Sequence, residues 1–146
     1  MSSFRFQLAT LLRLREVARD RCRVQLAESR RADAELVERL EQLDAQRNRL
    51  QAACREAAGP GAVDMAELLE AHCYAVALRA QEAEWHRRRE TLAIEIEHRR
   101  QSLIAADRDA RVLEKLRDRR HEEYRLDEER QAAKLLDEVA LQMVER

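Results

Sequence analysis

A chain of 146 residues in which 39% are Asp, Glu, Lys or Arg and 3% are aromatic cannot wrap a thick globular core. Its net charge of −1 and apolar residues recurring at helical spacing argue against a wholly disordered chain. The 45% apolar content is mostly Ala and Leu, which suits helices that each bury one narrow stripe and wet the rest.

The first helix is predicted over about residues 3–58, with Ser2 or Ser3 as its N-cap. Leu36, Leu40, Leu43, Arg47, Leu50, Cys54 and Ala57 follow alternating steps of four and three, the spacing of a heptad seam. Upstream, Leu8, Leu11, Ala18, Cys22, Gln25, Ser29 and Ala32 keep similar steps, but joining the two stretches requires a small phase slip. The arm is basic: residues 1–31 hold eight Arg against Glu16, Asp20 and Glu28. No aromatic residues interleave the arginines as a nucleic-acid site would need, so an acidic protein partner is expected rather than nucleic acid.

Both glycines and the sole proline fall together in Gly59-Pro60-Gly61. A single breaker between two long charged segments predicts one reversal, with a turn at 59–63 and Gly59 in the left-handed position that ends many helices. The second helix is predicted over about 64–144. Asp64 and Glu67 form its capping-box pair, and Val63 and Leu68 occupy the staple positions. Its stripe reads Leu68, Ala75, Ala93, Ile96, Leu103, Ala110 and Leu113. Glu35–Arg39, Glu84–Arg88 and Glu95–Arg99 offer i,i+4 support, about 0.2 to 0.5 kcal/mol each.

The expected fold is therefore all-α, one domain over residues 1–146, with two long helices in an antiparallel coiled-coil hairpin. The helices are unequal. Counting residues back from the turn places Phe4 beside Asp118, so the second helix overhangs at its C-terminal end. Residues 117–131 are almost wholly charged. Beyond them Ala132, Leu135, Leu136, Val139, Ala140, Met143 and Val144 form an amphipathic stripe with no helix of the same chain opposite, which must fray, dimerise or bind a partner. Residues 121–146 carry eight acids against four bases, opposite in sign to the first arm.

The chain offers little to chemistry. Glu95 and His98 have the Glu-x-x-His spacing of carboxylate-bridged metal bundles, but a second pair and two further glutamates are needed, and Asp118 with His121 lies too far along the same helix. His72 and Cys73 point about 100° apart on a helix and have no oxyanion cradle. Two glycines cannot build a P-loop, another Gly-rich phosphate turn or a serine elbow. No enzyme, cofactor or metal site is expected. Cys22, Cys54 and Cys73, an odd number without CxxC spacing, read as small buried or half-buried residues of a reducing compartment. No apolar run long enough to span a membrane and no secretory leader is seen, so a cytoplasmic protein is expected. Function should then lie on helix surfaces, and Tyr74, Leu78 and Trp85, with Leu43 and Leu50 opposite, are candidates for partner contact.

The start Phe4, Phe6, Leu8, Leu11, Leu12, the basic first helix and short break, and the closing pattern Leu113-Glu114-Lys115-Leu116, Arg119-Arg120 and Lys134-x-x-Asp137-Glu138 together resemble the FliJ family of flagellar type III export proteins. The resemblance covers essentially the whole chain. It implies a component of the export apparatus similar to the central stalk of rotary ATPases, in the cytoplasm and peripheral to the membrane at the flagellar base. The implied partners are the hexameric export ATPase, the cytoplasmic domain of the export-gate membrane protein, and export chaperones. By the same resemblance Leu43, Leu50, Tyr74, Leu78 and Trp85 would contact the gate. Arg5, Leu8, Leu12, Arg13, Arg15, Leu135, Leu136, Val139 and Met143 would contact the ATPase ring. Rival readings are a general export chaperone and the equivalent stalk or tether of a virulence secretion system.

Overall fold

The computed structural model describes residues 4–144 and contains two helices, α1 (Ala9–Ala57) and α2 (Met65–Val144). No strand occurs among the described residues. Helix α1 starts later than the sequence suggests. Residues 4–6 are not helical and 7–8 form a turn, closed where the Ala9 amide donates to the Phe6 carbonyl at 3.2 Å. Phe6 is buried, and seating its ring displaces the helix start past it. The proposed caps Ser2 and Ser3 lie outside the described residues.

At the bend, Gly59 does not take the left-handed conformation expected of it; the positive φ, 156°, belongs to Gly61. The helix instead tightens: the Ala58 amide bonds the Cys54 carbonyl at 3.0 Å, and the Gly59 amide bonds the Glu56 carbonyl at 3.1 Å. A side chain at position 59 would sit 3.1 Å from that Glu56 oxygen, a tight approach, so what glycine offers there is closeness rather than handedness. Asp64 caps α2 as expected, its Oδ1 accepting from the Ala66 amide at 2.9 Å.

The contacts divide the chain into two compact units, one made of residues 23–101 and the other of residues up to 22 together with those from 102 onward. In the first, the inward residues of α1 are Leu26, Ser29, Asp33, Leu36, Leu40, Leu43, Leu50 and Cys54. The spacing of three and four is unbroken through Asp33, so the phase slip expected between Ala32 and Leu36 is absent. Gln25 and Ala32 are exposed, and Leu26 and Asp33 take the inward positions. Facing them on α2 are Leu68, Ala71, Ala75, Leu78, Glu82, Trp85, Arg89, Leu92, Ile96 and Arg99, again in strict alternation, with Leu92 replacing the predicted Ala93. Charged residues occupy seam positions because each finds a partner across the seam. Arg89 Nε lies 2.9 Å from Asp33 Oδ1, Arg47 Nη1 lies 3.3 Å from Glu82 Oε2, and Arg99 Nη1 donates to the Gln25 carbonyl at 2.6 Å.

In the second unit Leu12, Arg19 and Cys22 of α1 are buried or half-buried, as are Leu103, Ala106, Ala110, Leu113 and Arg117 of α2. The Arg19 side chain is only 16% exposed and is held by Glu114 Oε1 at 3.0 Å and Asp107 Oδ1 at 3.9 Å, both on α2. Each unit thus joins a stretch of α1 to an antiparallel stretch of α2 through a thin seam fixed by opposite charges. Of the three predicted i,i+4 pairs, Glu84–Arg88 and Glu95–Arg99 form. Among the described residues, Glu35 and Arg39 make no such pair.

Candidate partner-binding surfaces

The aromatic residues at the start of the chain close the seam of the second unit. Phe4 meets His121 edge-on with ring centroids 5.0 Å apart, and lies 5.6 Å from the Tyr124 ring. The residue count had placed Phe4 one turn earlier, at Asp118. A segment outside the helix covers more distance per residue than the 1.5 Å helical rise, and this carries Phe4 farther along α2. Tyr124 in turn donates its hydroxyl to Glu128. Among the candidate ring-contact residues of this arm, Leu12 is buried and Leu8 half-buried, so both belong to the seam. Arg5, Arg13 and Arg15 are exposed, with Arg15 3.3 Å from Asp109. The fork of acids around Arg19, its hydrogen bond to Glu114 first, raises its pKa further above the ordinary arginine value and keeps it cationic inside the seam.

Past Tyr124 every described residue of α2 is exposed. Around residues 119–130 the charges pair along their own helix. Arg125 bonds Glu122 at 2.6 Å and Glu129 at 3.1 Å, Arg119 bonds Glu123 at 3.2 Å, and Arg130 bonds Asp127 at 3.3 Å. The Glu122 carboxyl is lowered from its ordinary pKa chiefly by the hydrogen bond from Arg125, and Arg125 is raised by the same bond. Leu135, Leu136, Val139 and Met143 stand uncovered, Leu136 at 70% and Met143 at 77% exposure. Large apolar side chains this open form an apolar face that no described residue of the chain covers.

In the unit of residues 23–101, the candidate gate residues divide. Leu43, 3% exposed, and Leu78 are packed into the seam; Leu50 and Trp85 are half-buried; Tyr74 is exposed. Next to the bend, the small side chains of Ala71 and Ala75 leave the seam underfilled. A groove of about 590 Å³ opens there between Leu50, Cys54 and Leu68, with Arg47, His72 and Arg79 among its polar lining. Cys22 and Cys54 are half-buried, but Cys73 is exposed, contrary to expectation, because it lies two residues from both Ala71 and Ala75, about 200° around the helix from the edge that faces α1. Glu95 is engaged by Arg99, and no group of three or more His, Cys, Asp or Glu that could hold a metal occurs among the described residues.

A family model described as Flagellar FliJ protein matches residues 4–146. The chain belongs to the FliJ family. FliJ proteins are helical, non-catalytic components of the flagellar export apparatus, and the two long helices fit that membership. No curated protein and no solved structure matches the chain. No described helix is long and apolar enough to cross a bilayer.

Sequence reasoning missed two features of this FliJ chain. One is the clasp of Phe4 on His121 and Tyr124, hidden because the arm was read as helix from residue 3. The other is the set of charges inside the seam. Its signal was present: continuing the three-four alternation through charged residues, instead of stepping aside to the nearest Ala, brings Asp33, Glu82 and Arg89 inward.

Proposed function

We propose that this protein is a stalk that binds the hexameric flagellar export ATPase through the C-terminal stretch of α2 and couples it to the cytoplasmic domain of the export gate. The observation that carries this reading is the uncovered apolar stripe Leu135, Leu136, Val139 and Met143 on a helix that has lost its antiparallel partner. A ring of six equivalent subunits offers repeated grooves to such a helix. A stiff, asymmetric binder then biases the subunits unequally, through differential contact, which is how a non-catalytic protein changes a catalytic cycle. The exposed Arg5 and Arg13 add charge that steers the approach of an acidic rim. Tyr74, with the exposed parts of Leu50 and Trp85, is the surface assigned to the gate, and the protein would work in the cytoplasm against the inner face of the membrane.

Truncation after Arg130 removes the stripe and leaves both seams intact. The shortened chain is expected to keep its melting transition and to lose most stimulation of the purified export ATPase. Undiminished stimulation by the truncated chain would reject the assignment. If the full chain instead holds unfolded export cargo in solution and leaves ATP hydrolysis unchanged, the general-chaperone reading replaces this one.

A further inference from the structure

The apolar stripe at the end of α2 shares its unit with other exposed apolar side chains, and one such pair lies on the basic arm. On α1, Leu14 is 62% and Val17 53% exposed, on the side of the helix opposite Leu12 and Arg19. Position 14 lies about 200° around from Leu12, and Val17 about 200° from Arg19, at about 100° per residue. The seam does not use this leucine and valine, and they stand next to each other one turn apart on the basic arm. Arg13 and Arg21 flank this pair on the same side, and neither forms an ion pair among the described residues.

The two faces are complementary. The α1 arm has eight Arg against three acids over residues 1–31, and the α2 end has eight acids against four bases over residues 121–146. Asp137 and Glu138 border the α2 stripe on its two sides and, like Arg13 and Arg21, form no ion pair among the described residues. Two α2 ends packed on each other would set these acidic segments side by side. An α2 end packed on an α1 arm brings opposite charges together.

We infer that a second copy of this chain docks here: the α2 stripe of each copy covers Leu14 and Val17 of the other. Both faces belong to one compact unit, so a two-fold exchange satisfies all four faces and closes without open ends. Such a pair hides Leu135, Leu136, Val139 and Met143, the residues assigned above to the ATPase ring. Self-association and ring binding then exclude each other, and the unengaged protein keeps its stripe covered. The pairing itself does not depend on the ring assignment and is tested with the purified chain alone.

Sedimentation of the full chain at low and high salt is the test, with Val17→Glu and Leu136→Glu as variants at exposed positions that leave the seams intact. The expected result is a pair at about 0.1 M salt, weakened roughly tenfold or more at 1 M, where the screening length falls from about 10 Å to about 3 Å. Each variant alone is expected to run as a single chain. Mixing the two restores one of the two contacts, because an intact stripe meets an intact arm, so a mixed pair should reappear. A chain that stays single at low salt overturns the inference. So does a pair abolished by Leu136→Glu but untouched by Val17→Glu, since the stripes would then be packing on each other.

Discussion

Residues 23–101 and residues 125–144 use nearly the same amino acids and reach opposite outcomes. In the first stretch, leucines face a second helix, and charges at seam positions are answered across it, Asp33 by Arg89 and Arg47 by Glu82. In the second, leucines of the same kind face water, and the charges that precede them are answered three or four residues along their own helix. Composition therefore does not decide burial here. The presence of an antiparallel neighbour does, and past the stretch that α1 accompanies, an ordinary coiled-coil stripe stands open to water.

Substituting equivalent residues in the two stretches gives the largest contrast. Leu43→Ala removes a side chain that is almost fully buried, and about 2 to 3 kcal/mol of stability should be lost, toward the low end for a leucine because a two-helix seam can relax around the gap. Leu136→Ala should change stability by less than about 0.5 kcal/mol, since nothing in the chain packs on it. Urea unfolding followed by helical circular dichroism reads both. A loss at Leu136 as large as that at Leu43 would mean that the end of α2 is folded onto something, and the comparison would fail.

A smaller effect should come from the cross-helix charges. Asp33 and Arg89 keep about a third of their side-chain surface in water, so Asp33→Ala is expected to cost about 0.5 to 1 kcal/mol. Exchanging the pair, Asp33→Arg together with Arg89→Asp, should recover most of it, while Asp33→Arg alone places two cations together and should be worse than Asp33→Ala. A double-mutant cycle that returns no coupling would show that the pair does not fix register.

The hairpin was legible because its signals are local: a single Gly-Pro-Gly corner, an Asp cap, and leucines at heptad spacing. The interior of the seam was only partly legible. Ala32 and Ala93 are apolar and sit one residue from the true inward positions, held by Asp33 and Leu92. Hydropathy alone rejects Asp33, and only the opposite helix, with Arg89 in reach, makes it acceptable inside. The start of the chain failed for a related reason, since the burial of Phe6 and the contact of Phe4 with His121 and Tyr124, outside any helix, are announced by no local pattern. For the partner surfaces, the α2 stripe could be read from periodicity. The burial of Leu43 follows from its place in the heptad seam, but that of Leu78, also assigned to the gate, could not be read, because inward and outward apolar positions of α2 look alike until the register is known.

Acid should separate the two stretches in the remaining way. The Glu122 carboxyl is lowered in the folded helix by Arg125, and at the start of the overhang that ion pair is not backed by a seam. A carboxyl lowered on folding contributes stability that is fully present above its unfolded pKa, about 4.3, and is lost as pH falls through the lower folded value. Helix content at the end of α2 should therefore begin to decline below about pH 4, while the leucine seam of residues 23–101 still holds. Glu122→Gln removes this titrating group, so circular dichroism between pH 6 and pH 3 should show a smaller loss for the variant, starting from a slightly less helical state at neutral pH. Superimposable acid profiles for the two proteins would mean that the pairs along α2 do not hold its free end, and that its helix persists on intrinsic propensity alone.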